Sequence, residues 1–187
     1  MTPKKIALFA VPLALAACSE DASIASSAGA VPVPVAEDAD PTGEMTVAIT
    51  GTEGTAIGEA TVRPGPHGMV IRLMAEGLPE GWHGVHLHQV GDCSDFDGGF
   101  KKSGSHINIS GTEHGVLNPE GYHTGADFPN LWADADGLHG ELFAGGLLLD
   151  QARDDDGFAM IIHANEDDHV TQPIGGAGPR LACAAFR

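Results

Sequence analysis

Basic residues are scarce in this chain, which has 9 lysines and arginines against 26 aspartates and glutamates and a formal net charge of −17. Removal of residues 1–17 would take away Lys4 and Lys5 and no acid, leaving 7 basic against 26 acidic residues, a net charge near −19. Nucleic-acid binding requires clustered lysine and arginine, so the composition argues against a nucleic-acid partner. Electrostatic attachment to anionic lipid is disfavoured for the same reason.

Long apolar runs and helical patterns are also missing. The apolar run Ile6–Ala14 is too short for a permanent membrane span, and no stretch carries a convincing amphipathic helical stripe. Alternation with period two instead predicts short strands separated by glycine-rich turns. The candidate strands are Met45–Thr50, Glu59–Arg63, His67–Ala75, Leu131–Asp134, Leu138–Phe143, Phe158–Ala164 and Leu181–Phe186. The pattern predicts an all-β, antiparallel sandwich or barrel.

The N-terminus has the order of an export signal. Met1–Lys5 is a short basic segment, Ile6–Ala14 is apolar, and Leu15–Cys18 (Leu-Ala-Ala-Cys) resembles the bacterial lipobox. We predict that residues 1–17 are a lipoprotein signal peptide whose cleavage leaves Cys18 as a lipid-modified N-terminus. A plain signal peptide with a chance cysteine, or a short buried helix, is the alternative.

The segment that follows is small, acidic and interrupted by proline, so residues 18–43 cannot bury enough apolar area to offset the entropy of ordering. We predict a disordered tether there, starting at lipidated Cys18, and one folded domain at 44–187. With Cys18 lipidated, Cys93 and Cys183 form an even pair in an oxidising compartment. A disulfide between them would stabilise the fold by about 4 kcal/mol in the chain-entropy model. Two buried free thiols are the alternative.

Two long connections interrupt the regular spacing of the predicted strands, one from Gly91 to Gly137 and one from Asn165 to Arg180. Loops of this length in a compact domain are usually functional, and these two carry or flank most of the ten histidines.

The densest histidine motif is Gly-Val-His-Leu-His, which contains His86 and His88. Alternate side chains of a strand share a face, so both imidazoles point the same way from a rigid backbone. Two neutral imidazoles fixed side by side suit a metal such as copper or zinc. The motif therefore predicts a metal site.

Four sequence blocks carry a resemblance to a known family. They are Gly84–Cys93, Ser103–Asn108, His114–Leu131, and Ile162–Asp168 together with Gly178–Cys183. Their order and spacing within residues 81–187 resemble those of bacterial copper–zinc superoxide dismutases. The resemblance implies a Greek-key antiparallel β-sandwich or barrel, immunoglobulin-like, with about eight strands and two long functional loops.

The resemblance also implies a role for each residue of the site. The copper ligands would be His86, His88, His106 and His163. The zinc ligands would be His106, as the bridging imidazolate, with His114, His123 and Asp127. Asp167 would hydrogen-bond one ligand histidine of each metal, Arg180 would meet the anionic substrate, and Cys93 and Cys183 would form the intradomain disulfide. The remaining histidines match no ligand position: His67, His83, His139 and His169.

The zinc loop departs from the family pattern at one point. The family usually has His-x-Gly-Asp, whereas His123-Thr-Gly-Ala-Asp127 has one extra residue. A bulged loop would bring the carboxylate back to the same ion, and otherwise water would take its place. We expect Asp127 to be a ligand.

The implied activity is that of an oxidoreductase with copper and zinc as cofactors, which disproportionates superoxide to dioxygen and hydrogen peroxide. The substrate is an anion and the protein is acidic, so copper and Arg180 must attract it locally. An exported copper or zinc storage protein on the same fold, without useful turnover, is the alternative function, and an inert β-domain is a third.

The expected location is the bacterial periplasm or cell envelope, with antioxidant defence as the role and the lipid on Cys18 as the only membrane attachment. Ser19 lacks the acidic inner-membrane retention signal, which favours the outer membrane. Both a monomer and a homodimer are compatible with the sequence.

Overall fold

The alternating segments form strands in a computed structural model, which describes residues 43–187. The predicted signal peptide, the lipidated Cys18 and the tether up to residue 42 lie outside the described residues. The strands are β1 (Met45–Gly51), β2 (Ala56–Gly65), β3 (Gly68–Ala75), β4 (Gly81–His83), β5 (Val85–His88), β6 (Leu131–Asp134), β7 (Gly137–Gly145), β8 (Phe158–His163) and β9 (Arg180–Phe186). A short helix, α1 (Leu149–Ala152), lies between β7 and β8.

The nine strands of the described region form a single antiparallel sheet in the order β4-β6-β7-β3-β2-β1-β9-β8-β5. The edge strands β4 and β5 follow each other in the chain, separated only by Gly84. Residues 81–88 therefore pair with β6 through their first half and with β8 through their second half, which closes the sheet into a barrel. Counted as one interrupted strand, they give the eight strands expected.

The connections follow a Greek key. The continuous segment β4–β5, β6 and β7 are neighbours in sequence and in space, and the chain then returns so that β8 lies beside β5. The predicted all-β, Greek-key antiparallel fold is confirmed. Two long loops leave this barrel: loop 1, residues 89–130, between β5 and β6, and loop 2, residues 164–179, between β8 and β9.

Gly84 stands where the barrel closes. A Cβ at this position would lie 3.0 Å from the Cβ of Ala177 and 3.3 Å from that of Asp167. Its N–H donates to the carbonyl of Asn165 at 2.8 Å, and its carbonyl accepts the N–H of His163 at 2.9 Å. The missing side chain lets loop 2 pack directly on the barrel, which brings Asp167 next to β5.

Strand β5 is buried on both faces. Val85 and Leu87 belong to the hydrophobic core of the barrel. By alternation, His86 and His88 point to the opposite face, where the two loops cover them. Among the described residues, no helix is long and apolar enough to cross a membrane.

Candidate metal centre

Loop 1 returns twice to β5, and these returns assemble the site. His88 forms a backbone bridge with His106, and His86 forms one with Asp127. The N–H and carbonyl of Leu87, between the two histidines, bond to loop 1 at 3.1 and 2.8 Å. Residues far apart in the sequence are thereby fixed beside the two strand histidines.

The first cluster consists of four buried histidines, and one ring nitrogen from each lies within 4.8 Å of the others: His86, His88, His106 and His163. Five of their ring nitrogens find no hydrogen-bond partner among residues 43–187: Nδ1 of His86, Nε2 of His88, Nε2 of His163 and both nitrogens of His106. Buried polar atoms without partners are costly, so converging unpaired imidazole nitrogens indicate a bound cation. An all-imidazole set fits copper.

The second nitrogen of three of these rings is anchored, which fixes how each ring is oriented. The anchoring pairs are His86 Nε2 with Asp167 Oδ2 at 2.7 Å, His88 Nδ1 with the carbonyl of Gly104 at 2.9 Å, and His163 Nδ1 with the carbonyl of Gly178 at 3.0 Å. Loop 1 and loop 2 thus each supply part of the support for the first cluster.

Burial keeps the first cluster uncharged. It lowers the pKa of His86 to about 3 and that of His163 to about 4, and it holds the pKa of His88 well below its ordinary value. The neighbouring His106 adds to each shift, because two positive imidazoles repel. Neutral imidazole is the form that binds a metal, so these rings are ready to do so at neutral pH.

The second cluster centres on Asp127. Its Oδ1 lies 2.9 Å from Nδ1 of His114, 3.3 Å from Nδ1 of His123 and 3.4 Å from Nδ1 of His106. Ligands about 2.1 Å from a tetrahedral zinc ion are separated from each other by about 3.4 Å. Three imidazoles and one carboxylate at these separations fit zinc.

Distance alone also groups His86 with His106, His114 and Asp127. However, Nε2 of His86 is engaged by a carboxylate, so only its Nδ1 is free, and that atom belongs to the first cluster. Nδ1 of His123 has no hydrogen-bond partner in the described part of the chain, and it lies 3.3 Å from Oδ1 of Asp127. His123 is therefore the better fourth member of the second cluster.

The extra residue between His123 and Asp127 is accommodated in a turn. The N–H of Asp127 donates to the carbonyl of His123 at 3.2 Å. Oδ2 of Asp127 accepts the backbone N–H of His123 at 3.0 Å and that of Gly115 at 2.9 Å. Burial acts to raise the pKa of Asp127, but the imidazoles and these amides outweigh it and hold the pKa well below its usual range.

Asp167 joins the two clusters, because its Oδ2 accepts a hydrogen bond from Nε2 of His86 at 2.7 Å and its Oδ1 accepts one from Nε2 of His114 at 3.2 Å. His114 therefore has a carboxylate at each ring nitrogen, Asp127 at Nδ1 and Asp167 at Nε2. Burial acts to lower the pKa of His114, but these hydrogen bonds prevail and raise it to about 9. The surroundings of His114 thus favour a positive charge, which a zinc ion at Nδ1 would supply.

Arg180 begins β9 and reaches across to loop 1. Its Nη1 donates to the carbonyl of Phe100 at 2.7 Å and to Oγ of Ser103 at 2.9 Å, and its Nη2 donates to the carbonyl of Gly104 at 2.9 Å. Three bonds to one loop fix the guanidinium in place.

A cleft of about 350 Å³ is lined by both His106 and Arg180. The other lining residues are Gln89, Ser105, Asn108, His123, Pro173 and Ile174. None of them is a carboxylate, so Arg180 is the only permanently charged group that residues 43–187 contribute to the lining. A strongly acidic protein thus presents a locally positive cleft, which attracts small anions.

The predicted Cys93–Cys183 disulfide is present, with a Cα–Cα distance of 5.7 Å and a sequence separation of 90. Cys183 is buried in a small cluster with Phe100, and Cys93 packs against that cluster. The disulfide joins loop 1 to β9. Cys183 follows Arg180 by three residues and packs with Phe100, whose carbonyl binds the guanidinium of Arg180.

Sequence reasoning missed the residues that act through their backbone or through a neutral amide. Phe100, Gly104 and Gly178 orient functional side chains with their carbonyls, which no side-chain pattern reveals. Gln172 was missed as well, although it contacts a histidine of the second cluster.

The histidines that match no ligand position lie elsewhere. His83 is a buried structural residue whose ring nitrogens lie 2.6 and 2.8 Å from two backbone carbonyls. His67, His139 and His169 lie outside both clusters.

The fold and the two adjoining clusters define a class, that of Greek-key β-barrel proteins built to hold two metals side by side. The family model for copper/zinc superoxide dismutase (SODC) matches residues 39–186, and the chain belongs to this family.

Relatives and solved structures agree with this assignment. A Cu-Zn superoxide dismutase of Caulobacter vibrioides is 41% identical over 150 residues, covering 76% of this chain and 84% of the relative. A second, from Aquifex aeolicus, is 35% identical over 146 residues, covering 74% and 84%. The crystal structure of a SOD-like protein from Bacillus subtilis has a TM-score of 0.71 at 31% identity, covering 78% and 100%. The Cu/Zn superoxide dismutase of Brucella abortus has a TM-score of 0.62 at 27% identity, covering 78% and 100%.

Proposed function

We propose that this protein converts two superoxide anions and two protons to dioxygen and hydrogen peroxide. The observation that carries the proposal is the convergence of four buried imidazoles beside a cleft. Within the described part of the chain, each imidazole has an unpaired nitrogen and the only permanent charge in the cleft lining is an arginine. In this assignment copper is held by His86, His88, His106 and His163. Zinc is held by His106, His114, His123 and Asp127.

Bound copper would supply the one-electron redox chemistry, and bound zinc would supply charge and rigidity. Arg180 attracts superoxide electrostatically, and its three bonds to loop 1 keep it in the cleft wall. His106 lines the same cleft, and its ring nitrogens have no hydrogen-bond partner among the described residues, so its Nε2 could hold a proton when it is not bound to copper and donate it to the reduced substrate. Asp167 fixes the orientation of one imidazole ring in each cluster, that of His86 and that of His114.

Metal storage is the less favoured function. Storage requires ligands alone, whereas this chain adds an anchored arginine and a cleft without carboxylates. These features serve an anionic substrate, which a store does not need.

The decisive experiment is metal analysis together with a superoxide assay on the mature chain. The metal-loaded protein should bind copper and zinc and react with superoxide near the diffusional ceiling of about 10⁹ M⁻¹s⁻¹. Full copper occupancy without activity would refute the enzyme and support storage.

We also propose export to the periplasm with a lipid anchor on Cys18, a tether at 18–43 and the catalytic domain at 44–187. The order of basic, apolar and lipobox residues at 1–18 supports the anchor, and the disulfide supports an oxidising compartment. Metabolic labelling with palmitate should mark the chain, and Cys18→Ala should abolish the label and release the protein from membranes. Sedimentation of the mature protein will decide between monomer and homodimer.

A further inference from the structure

Gln172, in loop 2, pairs with the backbone of His114, in loop 1. The N–H of His114 donates to Oε1 of Gln172 at 2.9 Å, and Nε2 of Gln172 donates to the carbonyl of His114 at 2.8 Å. The same nitrogen donates to the carbonyl of Val170 at 2.9 Å. The side-chain amide thus binds His114 as a neighbouring strand would, although neither residue belongs to a strand.

His114 depends on this contact for its backbone. The residue is fully buried, and Gln172 satisfies its N–H. Its carbonyl has a second donor, Asn118, at 2.9 Å, but the N–H has no such alternative in the described region. Without Gln172 a buried donor would be left unpaired, which favours a shift of the surrounding loop.

The contact also joins two segments that lack regular secondary structure at this point. Loop 1 carries His114, and loop 2 carries Asp167, which contacts the ring of the same histidine. The backbone of His114 is therefore tied to loop 2 by Gln172 and its ring by Asp167, so both contacts constrain where Nδ1 points.

We propose that Gln172 is a positioning residue that fixes His114 for zinc binding. The proposal rests on the proposed function, in which His114 is a zinc ligand. Metal sites tolerate only small displacements of their ligands, and removing a partner that orients a ligand typically lowers metal affinity by about 10–100-fold.

The test compares Gln172→Met, which keeps the length of the side chain and removes its hydrogen bonds, with Val170→Ala, which truncates an exposed side chain in the same loop. In the mature chain, competition with a chromophoric chelator should show about tenfold weaker zinc binding for Gln172→Met and no change for Val170→Ala. The visible spectrum of cobalt(II) in the zinc site should change in the first variant alone, because it reports ligand geometry. Hydrogen exchange should show lost protection of the His114 amide.

Gln172→Asn provides a second variant, which stays polar but is too short to reach His114, and the same changes are expected for it. Zinc affinity, cobalt spectrum and amide protection equal to those of the unmodified chain would overturn the proposal. A failure of the unmodified chain to bind zinc would instead refute the proposed function, so the two failures are distinguishable.

Discussion

Oδ2 of Asp127 accepts the backbone N–H of His123, four residues earlier in the chain, at 3.0 Å. The other oxygen of the carboxylate lies 3.3 Å from Nδ1 of the same histidine. The loop therefore closes around the carboxylate, and backbone amides keep it in the second cluster despite the extra residue in the sequence.

Asp127→Asn should weaken zinc binding by about a hundredfold or more and leave copper in place. The substitution keeps the shape of the side chain but removes the negative charge that faces three imidazoles. Metal analysis after dialysis against a weak chelator measures the effect. Asp134→Asn, at an exposed position in β6, is the matched control. Retention of zinc equal to that of the control would show that Asp127 is not a ligand.

The strand part of the site could be predicted from the sequence because strand periodicity is local. His86 and His88 are two residues apart in an apolar run, so a strand must place them on the same face. The structure has both residues in strand β5, as this argument requires. The return of His106 to β5 depends on backbone pairing across loop 1, which has no local signal. The family resemblance was therefore needed to group His106 with them.

Closure of the barrel and the support of the arginine could not be predicted, for a related reason. Gly84 allows loop 2 to approach the barrel closely, and no sequence pattern indicates this role. Arg180 is held by two carbonyls and a hydroxyl, and carbonyl groups are present at every residue. Only the folded geometry distinguishes those that matter.

Arg180→Ala should lower kcat/KM for superoxide by about tenfold or more without changing the metal content. Arg180→Lys should restore part of the rate, because an ammonium keeps the charge but cannot reproduce the three anchoring bonds. The remaining salt dependence of the rate should also weaken in Arg180→Ala. Arg63→Ala, which removes an exposed arginine paired with Glu44, is the control. Loss of copper in Arg180→Ala would contradict the role assigned to it.

The metal-free protein should be most stable near pH 6.5. The folded-state pKa values of His86 and His163, about 3 and about 4, lie below the unfolded value of about 6.5. Between these pH values the unfolded chain binds more protons than the folded chain. The stability of the fold therefore falls as pH drops from about 6.5 to about 4. His114 has the opposite sign: its contribution is complete below about 6.5 and is lost as pH rises through about 9. The melting temperature, measured in excess chelator at a series of pH values, reports both the acid limb and the alkaline limb of this stability profile.

His114→Asn should flatten the alkaline limb of that profile and leave the acid limb unchanged. A melting temperature that rises steadily to pH 9 in the unmodified, metal-free chain would contradict the assignment of a charged His114 between Asp127 and Asp167.

Replacing both cysteines, as Cys93→Ala with Cys183→Ala, should lower the free energy of unfolding by about 4 kcal/mol. The sequence separation of 90 makes the closed loop long, and a long loop loses the most entropy when the unfolded chain is cross-linked. Urea denaturation of the metal-free protein gives the difference, and the reduced, unmodified chain should match the double variant. Equal stability of the oxidised and reduced forms would refute this contribution.

Asp167→Asn should weaken the binding of both metals, whereas substitutions of ligands that serve one metal affect mainly that metal. Asp167 contacts His86 of the first cluster and His114 of the second, and an asparagine presents an acceptor to only one of them. We expect copper and zinc affinities each to fall by about 10–100-fold. Asp168→Asn is a closely matched control, because the neighbouring carboxylate is exposed and its Oδ1 accepts the backbone N–H groups of Val170 and Thr171. Loss of a single metal would show that Asp167 supports one cluster and that the second contact is incidental.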